Sequence, residues 1–324
     1  MKAEPSPERF PGPAQQIAWD RGHGEIWPLG AALHRLVLKL DDGRVITPFA
    51  EAPWQGEAET TADASIPAHL RHLGGEWACV PFGRSGVDPV VHGYGTDNMW
   101  RLTRADAHAV EWQIDYPADH PIERLTRTDA GVPGEAAVAF TLSVLPRRDC
   151  VLPVGLHPIL TLPQPGEDIR IEADFAHGET FPVVFENGVS LLAPARHFTS
   201  LEALPLAAGG AEDVAGLSQR ATEEAFQIVG VNGCLRAVYP SRRYAVRLEW
   251  SAADFPTCLF WMSAGGRRRK PWNGRFRGLG VEPLAASFVE RAGEGAITGG
   301  RAFRAGEIWT SSYSLSVAQY EEDK

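Results

Sequence analysis

The sequence predicts an all-β protein, and three observations carry that expectation. Short apolar stretches rich in β-branched and aromatic residues recur between Gly, Pro and Asp punctuation, as in "YAVRLEW" and "TCLFWMS". Long runs with a 3.6-residue apolar period are scarce. Several stretches alternate apolar with polar residues, as a strand with one buried face requires.

In chain order, strands are expected at 33–40, 110–116, 136–145, 168–174, 235–240, 244–250 and 257–263. In the segment from Gly306, the residues Tyr313, Leu315 and Val317 alternate with Ser312, Ser314 and Ser316, the pattern of a half-buried strand closing a sheet. The stretch 201–226 reads as an excursion of loop or short helix. There is no tandem repeat and no convincing linker. One large β domain over residues 25–320 is therefore expected, after a Pro-rich, polar and flexible segment 1–24.

Composition narrows the function classes. The chain has 324 residues, 44% of them hydrophobic and 22% charged, and no apolar run approaches the roughly 18 residues of a membrane span. Its net charge of −10 argues against nucleic acid as the main partner, because a phosphate backbone demands an extended basic face. The N-terminal stretch lacks the apolar core and cleavage site of a secretory signal, so the expectation is a cytoplasmic protein. Cys79, Cys150, Cys234 and Cys258 are scattered without a CxxC pair, which fits reduced thiols better than a disulfide frame or a zinc site. No metal is expected. Nothing in the sequence specifies an oligomeric state.

Three stretches stand in order along the chain: "VVHGYGTDNMW" (90–100), "VGLHPILTLP" (154–163) and "GLGVEP" (278–283). Together they resemble the aldose 1-epimerase, or galactose mutarotase, family: a His-Gly turn followed by a Trp, a second His before Pro, and a late Glu-Pro. The resemblance runs from about residue 25 to the end. It implies a β-supersandwich of large antiparallel sheets whose concave face holds a sugar, and a mutarotase that interconverts sugar anomers. A small-molecule carbohydrate is then the partner.

The residue types suit that chemistry. Opening a sugar ring takes a proton from the anomeric hydroxyl and gives one to the ring oxygen, so one base and one acid suffice, and no cofactor is called for. A carboxylate and an imidazole fit, since burial and neighbours move their pKa values towards the working pH. The resemblance makes Glu282 the base, His157 the acid and His92 a hydrogen-bonding partner at the same centre. It also places Arg84 on the sugar hydroxyls, with Arg71 as a competitor. Glu223 stands three residues before Phe226 where the family carries an aspartate. Trp272, more than Trp100 or Trp261, is positioned to stack on a pyranose face.

The other eight histidines, His69, His177 and His197 among them, read as ordinary surface or core residues. A basic run, Arg267, Arg268, Arg269 and Lys270 with Arg275 and Arg277, precedes Glu282. It is either a solvated loop or an anion site at the pocket rim. Two alternatives to the mutarotase therefore remain: an epimerase of the same fold acting on a hexose phosphate or acidic sugar, and a non-catalytic carbohydrate-binding protein.

Overall fold

The computed structural model describes residues 12–291 and 294–321. Two eight-stranded antiparallel sheets make its body. Across the front sheet run His197–Phe198, His177–Thr180, Glu223–Val229, Thr257–Ala264, Arg277–Leu284, Gly155–Leu156 and Ala78–Cys79, with Ile159–Thr161 also paired to Arg277–Leu284. Across the back sheet run Arg170–Ala173, Cys234–Tyr239, Tyr244–Trp250, Trp309–Gln319, Ala137–Pro146, Ile122–Gly131, Ala109–Asp115 and Arg101–Ala105.

The period-two pattern decides which face each strand buries. Trp309–Gln319 turns Tyr313, Leu315 and Val317 inward and its serines 312, 314 and 316 outward, and its neighbour Ala137–Pro146 buries Val138, Phe140, Leu142 and Val144. These meet Phe226, Ile228, Phe260, Met262, Leu279 and Val281 of the front sheet in one continuous core. The opposite face of the same front strands carries Ala225, Leu259 and Trp261, which belong to a second apolar cluster with Trp54, Trp77 and Trp272. All eight residues of Thr257–Ala264 are buried as a result. The front sheet thus has a dry inner face and a covered outer face, and the outer face is free to hold a site.

One polar cluster lies inside the sandwich. The buried Arg127 guanidinium donates to both oxygens of Asp129 at 3.1 Å and to both oxygens of Glu76, whose Oε1 also accepts from the Tyr313 hydroxyl at 2.5 Å. Burial raises the pKa of both carboxyls above their ordinary range despite the arginine. Arg127 is stacked 5.2 Å from the Phe140 ring, so the cation is enclosed on its apolar side too.

The all-β expectation holds, and the expected strands shift by one or two residues at most of their ends. Three points are corrected. The segment 1–24 is not a uniform lead-in: Gln15–Trp19 and Gly22–Trp27 pair in a four-stranded sheet, with Ile17 and Ile26 fully buried, while residues 1–11 lie outside the described residues. The excursion 201–226 ends early, because Glu223–Val229 is a central strand of the front sheet. Its two adjacent acids had masked the alternation. Trp100 is a core residue whose Nε1 donates to the Gly95 carbonyl, not a stacking platform. No helix among the described residues is long and apolar enough to cross a membrane.

Replacing Arg127 by Met strands two buried carboxyls without their cation. Breaking a buried ion pair in this way removes about 3–5 kcal/mol, a loss that urea unfolding at pH 7 will register. Both carboxyls have raised folded-state pKa values, so the folded state binds more protons than the unfolded one. Arg127 holds both pKa values down, so its loss raises them further, the variant gains more stability from protonation than the parent does, and its deficit shrinks as the pH falls towards 4.

Candidate functional site

On the outer face of the front sheet lies a cavity of about 360 Å³, within the range of small-molecule sites. Glu282, His157, His92, Arg84 and Trp272 all line it. They come from four separate parts of the chain, and strand register explains how they meet.

Glu282 stands in Arg277–Leu284, paired on one side with Leu259. On its other side Gly155 pairs with Leu284 and Ile159 with Gly280, so His157, midway between, faces Glu282 across the two strands. Pro158 supplies no N–H to this ladder, although its carbonyl still accepts from Val281 N–H at 3.0 Å; His157 N–H points the other way and donates to the Trp77 carbonyl at 2.8 Å, continuing the pairing of Gly155–Leu156 with Ala78–Cys79. His157 Nε2 comes within 3.4 Å of Glu282 Oε1, a contact slightly longer than a good hydrogen bond. Glu282 Oε1 and His157 Nδ1 have no hydrogen-bond partner, though both are buried. The imidazole lies flat on Trp77, ring centroids 4.3 Å apart.

Gly280 explains the shape of "GLGVEP". A Cβ on Gly280 would sit 2.2 Å from Glu282 Oε1. The carboxyl folds back over bare backbone, and only a glycine leaves it room.

Burial sets the charge of this pair. It pushes the Glu282 carboxyl well above the usual carboxylate range and lowers the His157 imidazole to about 3. Burial thus favours the neutral form of both groups in the free site.

His92 occupies a left-handed backbone position, φ 69°, followed by Gly93 at φ 89°. A side chain at Gly93 would bring Cβ 2.4 Å from the Val80 carbonyl oxygen, so the His-Gly order is sterically fixed. Gly83 N–H donates to His92 Nδ1 at 3.4 Å, which leaves the ring proton on Nε2. Burial drives the His92 pKa well below its ordinary value. His92 is thus a neutral N–H donor, its ring edge-on to that of His157 at 5.0 Å.

The remaining predicted residues separate. Arg84 lines the cavity and Arg71 does not; the Arg71 guanidinium donates to the Thr61 carbonyl. Glu223 is fully buried and does not line the cavity. It accepts from the Ser263 hydroxyl at 2.6 Å and from Arg267 N–H at 3.3 Å, and its other oxygen lies 3.7 Å from Arg267 Nε. Glu223 therefore reaches the site through Arg267. The basic run divides likewise: Arg267 alone lines this cavity, while Lys270 lies 3.6 Å from Asp63 and Arg275 pairs with Glu57.

Three contributors were not singled out in the sequence, where Arg267 stands only as one member of the basic run. Arg267 is held over Trp272 at 4.8 Å, and its Nε donates to Glu186 at 2.8 Å. His69 Nδ1 lies 2.7 Å from Asp97 Oδ1, which presents the rest of its ring to the cavity. Trp77 forms the floor under His157. Only the two glycines before Glu76 and Trp77 hinted at a tight passage there, and nothing local distinguishes His69 from the other histidines.

This two-sheet sandwich, with its cavity on the outer face of one sheet, has the galactose mutarotase-like fold. It is similar to a candidate aldose 1-epimerase from Escherichia coli K12, at 16% identity and a TM-score of 0.65, over 95% of this chain and 99% of that one. A galactose mutarotase-like protein from Lactobacillus casei matches at 16% identity and a TM-score of 0.63, over 94% and 100%. An aldose epimerase homologue from C. elegans matches at 12% identity and 0.61, over 95% and 99%. No family model and no curated protein matches the sequence.

Glu282→Gln tests the electrostatics without any substrate. Because the folded-state pKa of Glu282 is raised, its contribution to stability is greatest in acid and is lost as the pH rises through that pKa. The variant has no such titration. Its melting temperature will match the parent's near pH 4 and exceed it progressively at higher pH, by about 1.4 kcal/mol of stability per pH unit within the titration window.

Proposed function

We propose that the protein is a cofactor-independent mutarotase that interconverts the anomers of a free hexose or related sugar. The contact between Glu282 Oε1 and His157 Nε2, 3.4 Å apart on the cavity wall between two buried groups that make no hydrogen bond to each other, carries this reading. A binding protein has no need of a carboxyl and an imidazole held together at such desolvation cost.

Ring opening moves one proton off the anomeric hydroxyl and one onto the ring oxygen. With Glu282 ionised and His157 protonated, the carboxylate takes the first and the imidazolium gives the second. With the proton on the carboxyl, the roles exchange. The two arrangements are proton-shifted forms of one singly protonated pair, and each is what the other leaves behind after a turnover half. Ring closure on the opposite face of the aldehyde returns both protons. His92 Nε2–H donates to a sugar oxygen, and Trp77, Trp261 and Trp272 pack against C–H faces.

A second reading keeps the reaction and adds an anionic substituent to the sugar. Arg84 favours it: exposed at the cavity, it has no ion-pair partner among the described residues. Arg84→Ala would then lower kcat/KM for a phosphorylated sugar far more than for its neutral counterpart, and added salt would act in the same direction.

Anomer exchange followed by saturation-transfer NMR tests the main reading. Glu282→Gln and His157→Asn should each lose about 10²- to 10⁴-fold in kcat with KM within a small factor, and the double variant should lose little more. Gly280→Ala keeps both residues but displaces the Glu282 carboxyl; it should melt like the parent and still lose turnover. Sugar binding without exchange in the parent protein would make it a carbohydrate-binding protein instead. The pair must keep its one proton, so kcat/KM should fall as the pH rises through the raised Glu282 pKa.

A further inference from the structure

The outer face of the front sheet carries a second polar cluster, at its far edge. His177 and Glu179 are two apart in His177–Thr180 and share a face, and Glu179 pairs directly with His197 on the edge strand His197–Phe198. Glu179 Oε1 lies 3.7 Å from His177 Nε2 and 3.5 Å from His197 Nδ1, and the three atoms all lie within 4.8 Å of one another.

The two carboxylate oxygens have different tasks. Oε2 accepts a 2.8 Å hydrogen bond from the side-chain amide of Gln227, which is fully buried and whose own oxygen accepts from the Phe288 N–H. That fixes the carboxylate plane and turns Oε1 towards both imidazoles. Contacts of 3.5 and 3.7 Å are long for hydrogen bonds. They are close to the edge of a tetrahedron with metal–ligand bonds of about 2.0–2.1 Å, roughly 3.4 Å. Both imidazoles are partly or largely exposed, so small side-chain rotations close the remaining gap.

We infer that His177, Glu179 and His197 form a binding site for a divalent zinc-class cation, with Gln227 orienting the carboxylate and water completing the coordination shell. Two imidazoles and one carboxylate are a donor set that suits zinc, and the buried amide supplies the outer-shell support such ligands require. The site is separate from the cavity. Glu179, Gln227, Leu259 and Glu282 follow one another in register across the sheet, which puts Glu179 three strands, about 14 Å, from Glu282. Its effect is structural: the edge strand is held to its neighbour by only two register pairs, and a bound cation clips the two strands together.

The test uses the untagged full chain and Zn²⁺ alone. Calorimetric titration should give one site per chain, a rise in melting temperature, and slower amide exchange at residues 177–180 and 197–198. Glu179→Gln and His197→Asn should each weaken that binding by at least tenfold while leaving the metal-free protein folded. Co²⁺ in the same site should give the visible spectrum of a tetrahedral centre. Absence of one-to-one binding, or binding that both variants retain, would overturn the assignment and return the cluster to an ordinary polar edge.

Discussion

The site depends on the interrupted pairing between Arg277–Leu284 and the two short strands that flank His157. A continuous ladder would have fixed His157 as one more regular strand residue. His157 donates its N–H to the Trp77 carbonyl on one side, stacks its imidazole on the Trp77 indole, and meets Glu282 at the gap on the other, where Pro158 supplies no N–H. The desolvation of both groups follows from the strands around them: Thr257–Ala264 and most of Arg277–Leu284 are covered on both faces, by the sandwich core on one and by the aromatic cluster on the other.

Stability and the retention of a buried acid oppose each other here. The most comfortable residue at position 282 is a neutral one, and the protein retains an acid whose ionisation its surroundings resist. Gly280 makes the same trade in backbone terms, since a side chain there would add packing and remove the space in which the carboxyl rests. The Arg127 cluster is the structural counterpart. Its carboxyls are as deeply buried, yet each is met by guanidinium donors, so they tie the segment at Glu76 to the back sheet without presenting a partnerless atom.

Much of this was legible in the sequence. Period-two alternation located the back sheet and the final strand, because one face of each is wet. The front strands were harder: Glu223–Val229 opens with two acids that are both buried and hydrogen-bonded, so polarity there signals satisfied carboxyls and not a loop. "GLGVEP", "GLHPI" and "VVHGY" marked positions where backbone geometry is demanding, and those positions do face one cavity. His69 and the edge cluster of His177, Glu179 and His197 were invisible, and nothing set Arg267 apart within its basic run. Their neighbours are distant in the chain, and only tertiary pairing brings Asp97, Glu186 or Gln227 beside them.

The row Glu179–Gln227–Leu259–Glu282 has a bearing on assembly itself. Successive residues of a strand point to opposite faces, so a slip of one residue between these strands would turn their side chains over. Glu282 would then enter the space between Phe260 and the back sheet, with no guanidinium to receive it. A misaligned sheet would carry ionisable groups into hydrocarbon. The polar residues of the outer face thus act as a proofreading device for the fold: a sheet that closes in the wrong register is penalised by its own buried acid.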